Sequence, residues 1–287
     1  MRTENLRTKI FIDGGDPAET RGILNLLGFL DGQTTNPTLI SKNPEARRRL
    51  ELGEKFSEEE VLNFYRNVVN EISTLIPNGS ISIEVYADRF TSAEKMLQQG
   101  KEMFSWIPNA QIKFPTSKEG LKAAEQAIKE RIRINMTLCF SQEQAAAVHA
   151  ATRGAKRGDV YVSPFIGRLD DRGENGMDLI ANIIKMYREG DGHVEVLTAS
   201  VRKLDHLLYA INLGSDIITA PFTVLKEWGK EGLPVPGDNY VYDSKGLRPI
   251  LLNDVNLTKN WHEYEIHHEL TDKGMEQFSA DWNKLVK

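Results

Sequence analysis

The sequence predicts an α/β fold, a (β/α)8 TIM barrel with a C-terminal helical extension, and three observations carry that prediction. Eight short runs rich in Ile and Val recur between residues 9 and 220. Longer stretches with helical periodicity separate them, as parallel strands joined by crossover helices require. The 287-residue chain fits this alternation into roughly the 250 residues that one barrel needs. An open, doubly wound sheet would usually carry a glycine-rich turn after its first strand. Asp13-Gly14-Gly15-Asp16 lacks the GxGxxG spacing of such a turn.

In chain order, strands are expected at residues 9–13, 32–36, 80–86, 110–115, 133–138, 159–163, 194–200 and 216–219, each bounded by turn-forming or polar residues. Helices are expected between them, among others at 58–75, 117–129, 142–151, 177–188 and 203–213. Ser57 and Ser141 each precede a Glu or Gln in the first turn, as helix N-termini prefer. Residues 229–269 break the pattern. Pro234, Pro236, Gly237, Gly246 and Pro249 read as loop, an insertion ahead of a last helix at 271–286. In that helix Met275, Phe278, Trp282 and Leu285 recur at helical spacing, the pattern of a packing face. One barrel domain over residues 1–287 is the expected organisation.

Composition excludes several classes of function. Hydrophobic content of 40% and charged content of 27% are those of an ordinary globular protein. A net charge of −5 argues against nucleic acid as a partner, because binding it takes a concentrated positive field. The run Arg47-Arg48-Arg49 is followed by Glu51, Glu54, Glu58, Glu59 and Glu60, so it reads as a mixed, solvated face. The single cysteine, Cys139, cannot form an intrachain disulfide. No window approaches the roughly 20 apolar residues of a membrane span, and no apolar leader opens the chain. A cytoplasmic protein with no membrane partner is expected.

The informative pattern is where polar residues interrupt the apolar strands. Side chains alternate between faces with period 2. In Ile81-Ser82-Ile83-Glu84-Val85 the apolar residues therefore share one face and Glu84 points the other way. Lys113 likewise opposes Ile112 and Phe114, and Asn135 and Thr137 share a polar face. Asp13, Asn36, Ser163 and Ser200 close their strands. Seven strands thus deliver polar groups at or near their C-terminal ends, where barrel active sites are built. Any one of them alone is as readily a helix cap or the solvated end of a ladder. Seven together, with a lysine and two carboxylates, read as a site.

Lys113 is the pivot. A lysine among inward barrel side chains should have its pKa lowered by desolvation, which frees the neutral amine that forms a Schiff base with a ketone. The competing reading is a structural lysine paired with Glu84 or Asp13, which would hold the proton. Imine chemistry also needs proton shuttling, for which Asp13 and Glu84 are suitable and between which Thr137 could hold a water. Asn36, Asn135 and Ser163 could orient hydroxyls. Arg168 and Arg202 lie just beyond strand ends and suit phosphate, given the planar fork of donors on a guanidinium. No metal is expected: His262, His267 and His268 include no HExxH spacing.

Phe11-Ile12-Asp13, Thr34-Thr35-Asn36-Pro37-Thr38, Ile112-Lys113, Asn135-Met136-Thr137-Leu138, Ser163-Pro164-Phe165-Ile166-Gly167-Arg168 and Ala199-Ser200-Val201-Arg202 follow one another in an order that resembles the transaldolase family. The match covers roughly residues 9–227, and residues 270–284 resemble the closing helix of the small microbial transaldolases. The resemblance implies a barrel enzyme in which Lys113 forms an imine with a ketose phosphate, without cofactor or metal. Asp13, Glu84 and Thr137 then look like the acid–base and catalytic-water group. Asn36, Asn135 and Ser163 look like the residues holding dihydroxyacetone, and Arg168, Ser200 and Arg202 like the phosphate site. Glu84 and Phe165 look like the transaldolases of the family, whereas its fructose-6-phosphate aldolases look different, with Gln and Tyr at these positions. Three departures stand out: Gly14 where the family commonly has Thr or Ser, the insertion at 229–269, and a 170–176 loop resembling the small subfamily that also contains the aldolases. The insertion would cover the mouth of the site or alter homo-oligomer contacts.

The expected activity is transfer of a dihydroxyacetone unit from a ketose phosphate to an aldose phosphate, in the pentose phosphate pathway. An aldolase that releases free dihydroxyacetone is the nearest alternative, and a non-catalytic sugar-phosphate-binding barrel is the alternative of another class. An intact Lys113 with both carboxylates argues against the latter.

Overall fold

A computed structural model describes residues 2–237, 239–244 and 246–287. Eight parallel strands close into a barrel in sequence order: β1 (Lys9–Asp13), β2 (Gly32–Thr34), β3 (Ser80–Glu84), β4 (Ala110–Pro115), β5 (Ile134–Cys139), β6 (Val160–Pro164), β7 (Val194–Thr198) and β8 (Ile217–Ala220), with β8 pairing back to β1. The (β/α)8 expectation holds. Around the barrel run α1 (Pro17–Leu27), α2 (Pro37–Ser41), α3 (Pro44–Glu51), α4 (Glu58–Leu75), α5 (Ala93–Phe104), α6 (Lys118–Lys129), α7 (Gln142–Ala151), α8 (Ile166–Asp171), α9 (Gly176–Tyr187), α10 (Leu204–Leu213), α11 (Phe222–Lys230) and α12 (Glu269–Leu285).

The strands are buried on both faces, which is why they read as near-continuous apolar runs. Ile10, Ile12, Ile81, Ile83, Ile112, Phe114, Ile134 and Met136 are wholly buried. Their partners along each strand (Ser82, Glu84, Gln111, Lys113, Asn135, Thr137) are buried too, so every polar group among them must find a partner or carry a function. The capping box at Ser57 forms: its Oγ accepts from Glu60 N–H and the Glu60 carboxylate accepts from Ser57 N–H. At Ser141 only half a box forms, because Gln144 turns its Oε1 to Phe140 N–H.

Several strands end earlier than their apolar runs. β2 stops at Thr34, and Asn36 becomes the N-cap of α2, accepting from Leu39 N–H at 2.9 Å. β3 stops at Glu84, and β7 stops at Thr198, after which Ser200 takes a left-handed conformation with φ of 61°. These ends lie at the C-terminal mouth, where the chain must turn away into its helix.

Residues 231–268 contain no strand among the described residues and one short 3-10 turn, Trp261–Glu263. This segment runs along the outside of the barrel helices. Asn182 Nδ2 donates to Ile250 O, Gln142 Nε2 to Leu251 O, Arg153 Nη2 to Leu257 O, and Trp261 Nε1 to Glu125 Oε2. None of its described residues lines the cavity at the mouth. The element that reaches the mouth is α12. Thr38 Oγ1 donates to Asp281 Oδ2 at 2.6 Å, and Phe56 N–H donates to Leu285 O at 2.9 Å. Gly274 permits this docking: a Cβ there would stand 2.8 Å from Arg168 Nη1.

Candidate active site

A cavity of about 480 Å³ opens at the C-terminal ends of the strands, lined by Asp13, Asn36, Lys113, Ser163, Phe165, Arg168 and Ser200 among others. Glu84, Asn135 and Thr137 lie in the barrel wall, with no more than 4% of each exposed, and two of them touch the lining directly. Glu84 Oε2 stands 2.9 Å from Lys113 Nζ, and Asn135 Oδ1 accepts from Ser163 Oγ at 2.7 Å.

Strand register builds the centre. Glu84 is the pairing partner of Lys113, and Lys113 of Asn135, so three adjacent strands set carboxylate, amine and amide at one level. On the strands that precede these in the barrel, Asp13 pairs in register with Thr34, whose hydroxyl donates to Asp13 Oδ1 at 2.6 Å. Lys113 stands in ion-pair contact with Glu84, an arrangement open both to a structural lysine and to a nucleophile with a proton acceptor beside it. Nζ donates to Thr35 O at 2.9 Å and stands 2.9 Å from Glu84 Oε2 as a buried ion pair.

The electrostatics follow from burial. Desolvation pushes the Glu84 carboxyl above the ordinary carboxylate range, against the pull of Lys113. Desolvation likewise raises Asp13, opposed by Lys113 and by the Thr34 hydrogen bond. Two carboxyls held high beside an amine form a centre that can take up and return protons. Thr137 Oγ1 is buried with no hydrogen-bond partner among the described residues.

Arg168 projects into the cavity between two rings, its Cζ 5.6 Å from the Phe165 centroid and 5.5 Å from that of Phe278. Burial lowers its guanidinium from the ordinary value, with Glu84 opposing. Arg202 is placed differently. It forms a bidentate pair with Asp171, with Nη2 2.7 Å from Oδ2 and Nη1 on Oδ1, half exposed and outside the cavity lining. Ser200 lines the cavity beside it. Asn36 lines it as well, with its Oδ1 committed to capping α2.

Sequence reasoning missed several lining residues. Thr34 and Thr219, whose hydroxyls are 2.6 Å apart, give the eighth strand a polar contribution; the alternation in Ile217-Ile218-Thr219-Ala220 carried that signal. Lys42, Gln277 and Asp281 reach the cavity from α12 and the end of α2, and no local pattern points to them. Phe278 belongs to the packing face read from helical spacing, but it also lines the cavity. Tyr65 sits behind the centre. Its hydroxyl accepts from Glu84 N–H at 3.0 Å and lies 2.5 Å from Thr35 Oγ1, so it braces both residues that touch Lys113.

A closed (β/α)8 barrel with a buried lysine–carboxylate centre at the C-terminal mouth defines a barrel enzyme. The chain belongs to the transaldolase/fructose-6-phosphate aldolase family, whose model matches residues 10–287. It is similar to probable transaldolases from Dehalococcoides mccartyi (33% identical over 279 residues, 97% of this chain and 100% of that one) and Anaeromyxobacter dehalogenans (34% over 279 residues, 97% and 98%). A third, from Brucella ovis, is 36% identical over 276 residues, 96% of this chain and 97% of that one. Among solved structures, 3-hexulose-6-phosphate synthase from Salmonella typhimurium superposes with a TM-score of 0.49 at 10% identity, covering 78% of this chain and 97% of that one. Among the described residues no helix is long and apolar enough to cross a membrane.

Proposed function

We propose that this enzyme is a transaldolase that moves a dihydroxyacetone unit from fructose 6-phosphate or sedoheptulose 7-phosphate to an aldose phosphate through a Schiff base on Lys113. The observation that carries the reading is the buried contact of Lys113 Nζ with Glu84 Oε2 at 2.9 Å, on the inner face of the barrel. The amine must shed a proton to attack, and a carboxylate at contact distance is the nearest acceptor. Glu84, held high by burial, is the group positioned to take it. Nζ then attacks the ketose C2, the carbonyl oxygen leaves as water after protonation, and an iminium remains. Asp13 takes the proton of the C4 hydroxyl as the C3–C4 bonding pair moves toward the iminium. An aldose phosphate departs and an enamine stays on the lysine. Addition of the enamine carbon to an acceptor aldehyde, followed by the reverse steps, completes the transfer. The iminium formed on the lysine is the electron sink, so this chemistry calls for no cofactor.

Thr137 holds the water of carbinolamine formation and breakdown; Asn36, Asn135 and Ser163 hold the dihydroxyacetone hydroxyls. Arg168 and Ser200 receive the phosphate. Arg202 joins them by exchanging its Asp171 carboxylate for the phosphate, since each offers a pair of oxygens to the two parallel donors of a guanidinium. Phe165 favours transfer over release, since its ring brings no hydroxyl to order water beside the enamine. We place the reaction in the pentose phosphate pathway of the cytoplasm, in one barrel domain over residues 1–287, with sugar phosphates and no nucleic acid as partners.

Borohydride added with fructose 6-phosphate should trap a covalent adduct on Lys113. An adduct on another lysine, or active enzyme with none, overturns the assignment. Incubation with fructose 6-phosphate with and without erythrose 4-phosphate then separates the two activities of the family. Fast cleavage with no acceptor would make the enzyme an aldolase.

A further inference from the structure

Asp13 does not stand alone at the end of β1. The flanking strands β2 and β8 each send a threonine inward beside it, Thr34 and Thr219. Both are 2% exposed and both line the cavity. Their hydroxyl oxygens meet 2.6 Å apart across β1, and Thr34 Oγ1 lies 2.6 Å from Asp13 Oδ1. We propose, on the reading of Asp13 given above as proton acceptor for the C4 hydroxyl, that Thr219 is a positioning residue for the reaction. Its hydroxyl acts through Thr34 to hold and polarise the Asp13 carboxylate.

Proton counting gives the direction of each hydrogen bond. A threonine hydroxyl carries one proton, and an ionised carboxylate only accepts. The Thr34 proton therefore goes to Asp13 Oδ1, and the contact between the two threonines must be filled by the proton of Thr219. The chain runs one way, from Thr219 to Thr34 to Asp13. Among the described residues the Thr219 hydroxyl has no other hydrogen-bond partner. A hydroxyl that accepts one hydrogen bond donates a stronger one, so Thr219 strengthens the bond that Thr34 gives to the carboxylate.

Two consequences bear on catalysis. With Oδ1 committed to Thr34, Oδ2 is the oxygen left for the substrate, so the chain selects which oxygen acts as base. The chain also favours the ionised form, which a base needs. Burial raises the Asp13 carboxyl, while Lys113 on β4, the Thr34 hydrogen bond and Lys42 at the end of α2 oppose it. Glu84 on β3 and Glu19 on α1 face it as like charges. Packing alone does not call for a hydroxyl at this place. Valine has a similar branched shape and suits a strand equally, and a buried hydroxyl costs stability unless it is bonded.

Thr219→Val removes the hydroxyl and keeps the shape. The single-turnover rate of aldose-phosphate release from saturating fructose 6-phosphate should fall by roughly 2- to 10-fold, as for the loss of one neutral hydrogen bond. The acid limb of that rate should move to higher pH, because a less well solvated carboxylate holds its proton more tightly. Thr219→Ser keeps the hydroxyl and should restore most of both. In a Thr34→Val background the change at 219 should cost nothing further, since it acts only through Thr34. Dihydroxyacetone isolates the step: it forms the imine but has no C3–C4 bond to break. Borohydride should therefore trap it on Lys113 of Thr219→Val at the wild-type rate.

A Thr219→Val enzyme that cleaves at the wild-type rate with an unmoved acid limb overturns the proposal. So does an equal loss in imine trapping and in cleavage, or a Thr219→Ser enzyme as slow as Thr219→Val, since either makes the effect one of fit. A further loss on top of Thr34→Val overturns it as well. Wild-type enzyme that cleaves fructose 6-phosphate but traps no imine overturns the Schiff-base reading itself, and the role of Thr219 with it, before any variant is compared.

Discussion

Replacing Glu84 with Gln tests the proposed catalytic pair most directly, because it removes one charge from a contact whose side chains are only 3% and 5% exposed. At 2.9 Å and an effective dielectric constant of about 20, two unit charges attract by roughly 6 kcal/mol. Desolvation takes back several kcal/mol per ion, and the upward shift of Glu84 shows that burial outweighs attraction for that group. Removing one partner of such a pair typically costs about 3–5 kcal/mol. Asp13 still faces Lys113, so the low end, about 3 kcal/mol, is expected. With an unfolding entropy near 2.1 cal/mol/K per residue, that is a fall in Tm of roughly 5 °C for a chain of this length. The double variant Lys113→Met/Glu84→Gln removes both charges and should recover most of the loss, giving a coupling of about 2–3 kcal/mol. Urea unfolding of the four members of the cycle at pH 7 measures it. The rate of borohydride-trapped imine in Glu84→Gln should fall by about 10²- to 10⁴-fold. Strictly additive stabilities, or imine formation at the wild-type rate, would refute the assignment of Glu84 as the partner that takes the lysine proton.

Lys113→Arg keeps the cation but cannot supply a neutral amine, so no adduct should be trapped and exchange of the dihydroxyacetone unit should be lost. Asp13 gives a pH test. Its folded-state pKa is raised, so its contribution to stability is present below about pH 4 and is lost as pH rises through the folded value. Asp13→Asn should therefore gain stability relative to wild type between pH 4 and pH 7 while losing transfer activity; a Tm difference flat across that range contradicts a burial-dominated carboxyl. Arg168→Ala should lower kcat/KM for phosphorylated substrates by roughly 10- to 150-fold and hardly affect free sugars, the loss expected for a charge-assisted contact. Arg202→Ala should cost less, since its guanidinium must first give up Asp171, and equal losses for both variants would mean that both arginines are already free to bind. Phe165→Tyr should raise the release of free dihydroxyacetone relative to transfer, measured with and without erythrose 4-phosphate; an unchanged ratio removes Phe165 from the partition.

Much of the barrel was legible because its strands are buried on both faces and its longer helices on one, and both leave strong patterns. β1 and β4 coincide with their apolar runs, and α4 begins at the capping box read at Ser57. What the pattern could not resolve was where a strand stops. Apolarity continues past the last strand residue, through Val85 after β3 and Ala199 after β7, because both are still packed and still hydrogen-bonded to the neighbouring strand. The short helices α2, α3 and α8 span 5, 8 and 6 residues, at most about two turns, too few for a periodicity to declare itself.

The site was legible to the extent that it is a property of single strands. Inward polarity at Glu84, Lys113, Asn135 and Thr137 follows from period 2 within each run. Which of these groups touch is a property of register between strands, and parallel pairing sets Glu84, Lys113 and Asn135 level only once neighbours are aligned. Arg168 and Arg202 illustrate the same limit. Both sit just beyond strand ends, but Arg168 is clasped between Phe165 and a ring from α12, whereas Arg202 finds Asp171 on α8. The deciding partners lie 110 residues away from the first and 31 from the second, so no local spacing could have told them apart. Long-range packing of α12 against the mouth therefore decides which of the two arginines lines the cavity. A chain with the same strand motifs and a differently docked last helix would place these two arginines differently on the same eight strands.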